Sequence, residues 1–242
     1  TELEAELEAE LEARKKQYNY YRDELLSFDE GEVEWLPLED LIKSLKTGLN
    51  PRKNFTLNTP DAKGYYVTVR EIQNGKIVLL DKTDRVNDEA LKVINNRSNL
   101  ETGDILFSGT GTVGRIAVIQ DPPKNWNIKE GVYVIKPSCE RVNSKYIAHL
   151  LNSQKIVQEY SKKIVGSPVM SIPMRELKKL QIPIPCPDNP KKSLAEQERI
   201  VSILDNFDAL VNDISIGLPA EITARRQQYE HYRNQLLTFK EV

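Results

Sequence analysis

The chain has little of what supports catalysis, cross-linking or metal binding. It holds two cysteines, Cys139 and Cys186, in 242 residues. They are too few for a disulfide framework and lack metal-knuckle spacing. Neither has a general base near it in sequence. The two histidines, His149 and His231, have no cysteine, histidine or carboxylate at ligand spacing. They read as ordinary helix residues, so no metal site is expected. The carboxylates are scattered or lie on helix surfaces, and no catalytic constellation forms. No Gly-Lys-Ser/Thr element is present, which excludes a P-loop. No run of 18 apolar residues exists, so no membrane-spanning helix is expected. The acidic, non-apolar start predicts no secretory signal. With so few cysteines, a cytoplasmic location is the expectation.

What is present points to a polar protein with a real core. Mean hydropathy is −0.51 and 29% of residues are charged. The length suits one or two domains. The net charge of −2 conceals an asymmetry. Residues 1–28 carry 4 basic and 8 acidic groups, and residues 196–242 carry 5 and 8. Residues 29–195 carry 25 basic and 20 acidic groups. A mildly basic middle thus lies between acidic helical segments, and that distribution says more about partners than the total does.

The chain also repeats itself. Residues 10–28 align with 221–239 at an offset of 211, and ten of the nineteen positions are identical. So long an offset is not a solenoid period. It means that similar helices bracket a whole domain. Residues 2–28 read as one helix opened by three Glu-Leu-Glu-Ala tetrapeptides. Leu3, Leu7, Leu11, Tyr18, Tyr21, Leu25 and Phe28 form one apolar stripe along it. In the last segment, Ser193-Leu-Ala-Glu196 reads as a capping box. Val201, Leu204, Phe207, Val211, Ile214 and Leu218 continue at helical spacing. Gly217 and Pro219 interrupt the helix. The seam then resumes with Ile222, Tyr229 and Leu236, seven apart, and with Tyr232. Leu11, Tyr18, Tyr21, Leu25, Leu204, Phe207, Val211, Ile214, Ile222, Tyr229, Tyr232 and Leu236 are the candidate dimer or spacer contacts.

Between the helices the pattern is mostly that of strands. Residues 35–45 read as a short amphipathic helix ended by Gly48 and Pro51. Strands are predicted over 64–70, 76–80, 104–108, 115–119 and 131–135, with Asn74-Gly75 as a hairpin signal. Residues 144–163 read as one helix, 171–180 as a short helix, and 181–187 as an extended edge. The fold class expected is α+β, with domains at 1–28, 29–192 and 193–242. Gly109-Thr-Gly111-Thr-Val-Gly114 spells a dinucleotide fingerprint, but a strand follows it where a helix is required. A tight turn between antiparallel strands fits better.

The basic residues of the middle cluster in loops rich in Gly, Ser, Thr and Asn. As a set they suit phosphate contacts and base readout. The candidates are Arg52, Lys53, Lys63, Arg70, Ser108, Thr110, Thr112, Arg115, Lys124, Trp126, Lys162 and Lys163, with Arg85 and Arg97 in the wider set. A solvated surface is the plainer reading of each alone.

Several stretches together resemble a known family. They are Trp35-Leu-Pro-Leu-Glu-Asp-Leu-Ile42, residues 100–118 through the glycine turn, Leu180-Gln-Ile-Pro-Ile-Pro185 and Glu196-Gln-Glu-Arg-Ile-Val-Ser-Ile-Leu204 with Asp205-Asn-Phe-Asp-Ala-Leu210. Gly217-Leu-Pro-Ala-Glu-Ile222 and Gln228-Tyr-Glu-His-Tyr-Arg233 fit as well. In this order they resemble the specificity subunit of type I restriction–modification systems. The resemblance implies a β-rich target-recognition domain flanked by long coiled-coil-forming helices. The chain resembles a half subunit, with one recognition domain where a full subunit has two. It further implies no catalysis in this chain. The implied partners are double-stranded DNA, methyltransferase subunits, motor–endonuclease subunits and a second copy bound through the helices. S-adenosylmethionine is implied in the methyltransferase and no cofactor here. The competing expectation is a coiled-coil protein-interaction scaffold without direct DNA readout.

Overall fold

The computed structural model describes residues 2–29, 31–51, 54–212 and 217–237. In chain order the elements begin with α1 (Glu2–Leu25), β1 (Val33–Pro37), β2 (Ile42–Thr47), β3 (Gly64–Val67), β4 (Ile72–Gln73) and β5 (Lys76–Ile77). There follow β6 (Arg85–Val86), α2 (Asp88–Ser98), β7 (Ile105–Ser108), β8 (Ile116–Val118), β9 (Trp126–Ile128) and β10 (Val132–Pro137). The last are α3 (Ser144–Asn152), α4 (Gln154–Ser161), α5 (Met174–Lys178), β11 (Gln181–Pro185), α6 (Pro190–Asn212) and α7 (Gly217–Leu237). The fold is α+β. Two compact units form: Phe28–Arg199, and Thr1–Ser27 with Ile200–Val242. Among the described residues, no helix is long and apolar enough to cross a membrane.

Among the described residues, the larger unit is built on four sheets. β2, β10, β7 and β8 form an antiparallel sheet in that order. β6, β3 and β9 form a second, in which β3 and β9 run parallel. β4 and β5 form a hairpin, and β1 pairs with β11. Alternation along β3 and β9 divides the core, because successive side chains point to opposite faces. Val67 and Ile128 join Leu106, Ala117, Val132 and Val134 in one cluster. Tyr66 joins Val86, Ala90, Leu91 and Ile94 in another, where α2 packs.

In the smaller unit, α1 lies against α6 and α7 through the predicted stripe. Tyr18 is buried, and Tyr21 stacks on Phe207 with ring centroids 5.5 Å apart. Leu204, Val211 and Ile222 are buried, and Leu11 and Leu25 are half-buried. Arg226 Nη2 bonds Glu8 Oε1 at 2.6 Å. Tyr229 and Tyr232 are exposed. Ile214 and the side chain of Leu236 lie outside the described residues.

Four sequence expectations are corrected. Residues 35–45 are not helical. Trp35 and Leu36 pair with Pro183 and Ile182, a tight turn spans Leu38–Leu41, and Leu45 pairs with Ile135. The apolar spacing there imitates a helix, but distant strands claim the backbone. The predicted helix over 144–163 is two helices, because Ser153 is extended at φ −69°, ψ 148°. The strand expected to 70 stops at Val67 and gives way to a capped turn at Val69–Glu71. Ser193 does not cap α6. Asn189 does, its Oδ1 accepting the Lys192 N–H at 3.0 Å, with Pro190 at the first position. Ser193 is buried, and its hydroxyl accepts from Gln197 Nε2 at 3.1 Å. Gln197 in turn accepts the Asn143 N–H at 2.9 Å and donates to Arg141 O at 3.3 Å. The start of α6 is thereby tied to the cap of α3.

Candidate nucleic-acid interface

The second sheet places cations beside aromatic rings. Tyr65 is opposite Arg85 on one side and Trp126 on the other. Register partners project to the same face, so the three make a row across the sheet. The Arg85 guanidinium lies 3.9 Å from the centre of the Tyr65 ring, a cation–π distance. Arg85 also donates to Lys63 O at 3.5 Å, and its backbone N–H is held by Asn58 Oδ1 at 2.7 Å. The Tyr65 N–H donates to Asn125 O at 2.7 Å, beside Lys124. Lys63 and Lys124 are exposed, and Trp126 is half-buried, with part of its ring packed against the Val67–Ile128 cluster.

The cationic strip continues from Arg85. Arg70 Nη2 is 3.6 Å from Asp84 Oδ2, and Arg115 Nη1 donates to Val69 O at 3.0 Å. Glu71 organises this corner. Its carboxylate is fully buried and accepts from Thr68 N at 2.8 Å, Thr68 Oγ1 at 2.7 Å and Thr83 Oγ1 at 3.0 Å. The turn that it caps presents Arg70 to Asp84 and Val69 O to Arg115. The local signal was Thr68-Val-Arg-Glu71, a capping box, which sequence reading passed over.

The glycine turn joins antiparallel β7 and β8, as the sequence suggested. Ser108 is buried. Its hydroxyl accepts the Arg115 N–H at 2.7 Å and donates to Thr112 O, so its role is to shape the turn. Thr110 is half-buried, with its hydroxyl 3.2 Å from Ser171 Oγ. Thr112 is exposed. Gly109 is required by close approach, since a Cβ there would lie 2.1 Å from the Tyr133 ring. Gly114, at φ +94°, faces the Tyr160 hydroxyl. Tyr160 brings the end of α4, with Lys162 and Lys163, to this turn. Arg52 and Lys53 lie outside the described residues, and Arg97 is on the last turn of α2.

The structure thus brings Lys63, Arg70, Arg115, Lys124 and Trp126 into one connected strip through Tyr65, Arg85 and Asp84. Tyr65 is the contact that sequence reading missed. Only the pairing of β3 with β6 and β9 reveals it. Among the described residues, no group of three or more His, Cys, Asp or Glu side chains is placed to hold a metal ion.

A β-rich body with a cationic, aromatic rim, joined in one chain to long helices, defines an α+β recognition module. Comparison with known proteins places it more closely. The pattern of the family described as type I restriction modification DNA specificity domain matches residues 30–224, and the chain belongs to that family. It is 34% identical over 242 residues to the Escherichia coli type I restriction enzyme EcoR124I/EcoR124II specificity subunit, covering 99% of this chain and 56% of that protein. A solved chain from a type I R-M system superposes with TM-score 0.66 at 15% identity, over 94% of this chain and 52% of the other. The HsdS subunit from Thermoanaerobacter tengcongensis gives TM-score 0.55 at 17% identity, with the same coverage of 94% and 52%. The chain therefore spans about half the length of each of these three relatives.

Proposed function

We propose that this chain reads one half of a bipartite DNA site for a type I restriction–modification complex. The row Arg85–Tyr65–Trp126 carries the reading. Guanidinium and ring faces supply stacking and base-edge contacts, and Lys63, Lys124, Arg70 and Arg115 supply phosphate contacts. Asp84 and Val69 O hold two of these cations in fixed positions, so less rotamer freedom is lost on binding.

The chemistry is assigned to partners. Methyltransferase subunits dock on the helices, carry S-adenosylmethionine and take the target adenine out of the stack. Motor–endonuclease subunits join them. A second copy associates through the helices and supplies the other half-site in a two-fold arrangement. The exposed Tyr229 and Tyr232 support a further helical contact. This chain contributes address and distance and no catalytic step.

Methylome sequencing of cells carrying the gene with its methyltransferase tests the reading. A methylated split motif that disappears with the gene is the expected result. Arg85→Ala should then weaken binding to that motif by roughly tenfold, in line with about 1–3 kcal/mol per base contact. Methylation that is unchanged without this chain would overturn the proposal.

A further inference from the structure

An exposed apolar patch lies on a loop outside the cationic strip. Between α4 and α5 the chain turns back through Val165-Gly-Ser-Pro-Val-Met170. Val165 is 56% exposed, Val169 59% and Met170 44%. Three exposed apolar side chains on one short loop are uncommon, because apolar surface left in water forgoes the free energy that its burial would release.

The loop is not loosely attached. Val165 and Ser171 exchange both backbone hydrogen bonds at 2.8 Å. Met170 O accepts the Gly111 N–H at 2.8 Å, and Gly109 O accepts the Ile172 N–H at 2.9 Å. Ser171 Oγ donates to Gly109 O at 3.1 Å. Gly166 sits at φ +105°, where a Cβ would meet Val169 O at 2.3 Å. The fold thus holds an apolar tip against the glycine turn by its own backbone.

Its surroundings indicate what covers it. Lys162 and Lys163 lie just before the loop. On its other side the glycine turn leads through exposed Thr112 to Arg115 and the cationic strip. A polyanion crossing the strip reaches the apolar tip next. Cations that flank an apolar tip match duplex DNA, whose phosphates border grooves in which thymine methyls, or base faces at an opened step, offer apolar contact.

We infer that Val169 and Met170 form an apolar finger that enters a DNA groove and contacts the bases, between phosphates held by Lys162 and Lys163. The inference rests on the DNA-reading function proposed above. The base surface it meets is either a thymine methyl or the face of a partly opened base step.

The test uses the full chain assembled with its methyltransferase subunits and a duplex carrying the methylated motif. The double variant Val169→Ser/Met170→Ser should lose about tenfold or more in affinity for the motif. Its dependence of log affinity on log salt should keep the wild-type slope, since no phosphate contact is removed. Lys162→Ala/Lys163→Ala should instead make that slope shallower by up to about 2. Deoxyuridine in place of thymidine reproduces the loss if a methyl is read. Brightening of 2-aminopurine that is absent in the double variant marks an opened step. The inference falls if the double variant binds like wild type, if neither DNA probe responds, or if the variant sheds methyltransferase subunits while its own DNA binding is intact. Absence of motif binding by the wild-type complex would instead overturn the function proposed above, and this inference with it.

Discussion

Glu71 and Gly109 each carry more than their sequence context suggests. Glu71 is a carboxylate with no exposure, and its three short hydrogen bonds come from Thr68 and Thr83. Removing it leaves buried donors without an acceptor, at about 1–3 kcal/mol for such a group. Glu71→Ala should therefore lower stability by about that amount in chemical denaturation, and Glu71→Gln by less. The same change frees the turn that presents Arg70 and Val69 O, so DNA affinity should fall with it. Gly109 is constrained by space alone. A methyl there overlaps the Tyr133 ring, whose hydroxyl donates to Ile172 O at 2.8 Å. Gly109→Ala should cost about 1–3 kcal/mol through displacement of that ring.

At the scale of elements, α2 gives the clearest local prediction. Asn87 caps it, its Oδ1 accepting the Ala90 N–H at 3.0 Å. Asn87→Ala should lower stability by about 1 kcal/mol, visible as a drop in the denaturation midpoint. The helix itself escaped sequence reading, because Leu91 and Ile94 are diluted by Asn, Asp, Glu and Arg neighbours. Elements with local signals were legible. Asn74-Gly75 forms the expected two-residue turn, both residues at positive φ, 45° and 73°. β7, β8 and β10 appear near their expected places, and the stripe of α1 finds its seat on α6. What failed depended on distant partners. Residues 35–45 become strands because 181–185 and 132–137 pair with them. The row Tyr65, Arg85, Trp126 joins positions up to 61 apart in sequence through a parallel and an antiparallel register. No periodicity within one segment encodes that.

For the whole molecule, alkaline pH is a direct probe of packing. Burial pushes the hydroxyls of Tyr18, Tyr66, Tyr146 and Tyr160 above their ordinary value of 10.0. The unfolded chain then releases protons from about pH 10 upward while the folded chain keeps them. The stability these four groups contribute is complete below pH 10 and is lost as pH rises beyond it. An absorbance titration should find them ionising only in a cooperative step together with unfolding. The helices offer a second probe. Deleting residues 6–9 removes about 6 Å of α1 and about 40° of helical phase. If the helical unit spaces two half-sites, the methylated motif should lose nearly two base pairs from its gap, at about 3.4 Å per pair. An unchanged gap would count against that role. The β1–β11 ribbon has a different kind of consequence. Val33 faces Pro185 across an antiparallel pair, so the chain arrives at and leaves the recognition body through two adjacent strands. Everything between those strands forms a closed excursion with neighbouring ends. Genetic exchange within two short segments of coding sequence would replace that excursion whole and leave the flanking helices unchanged.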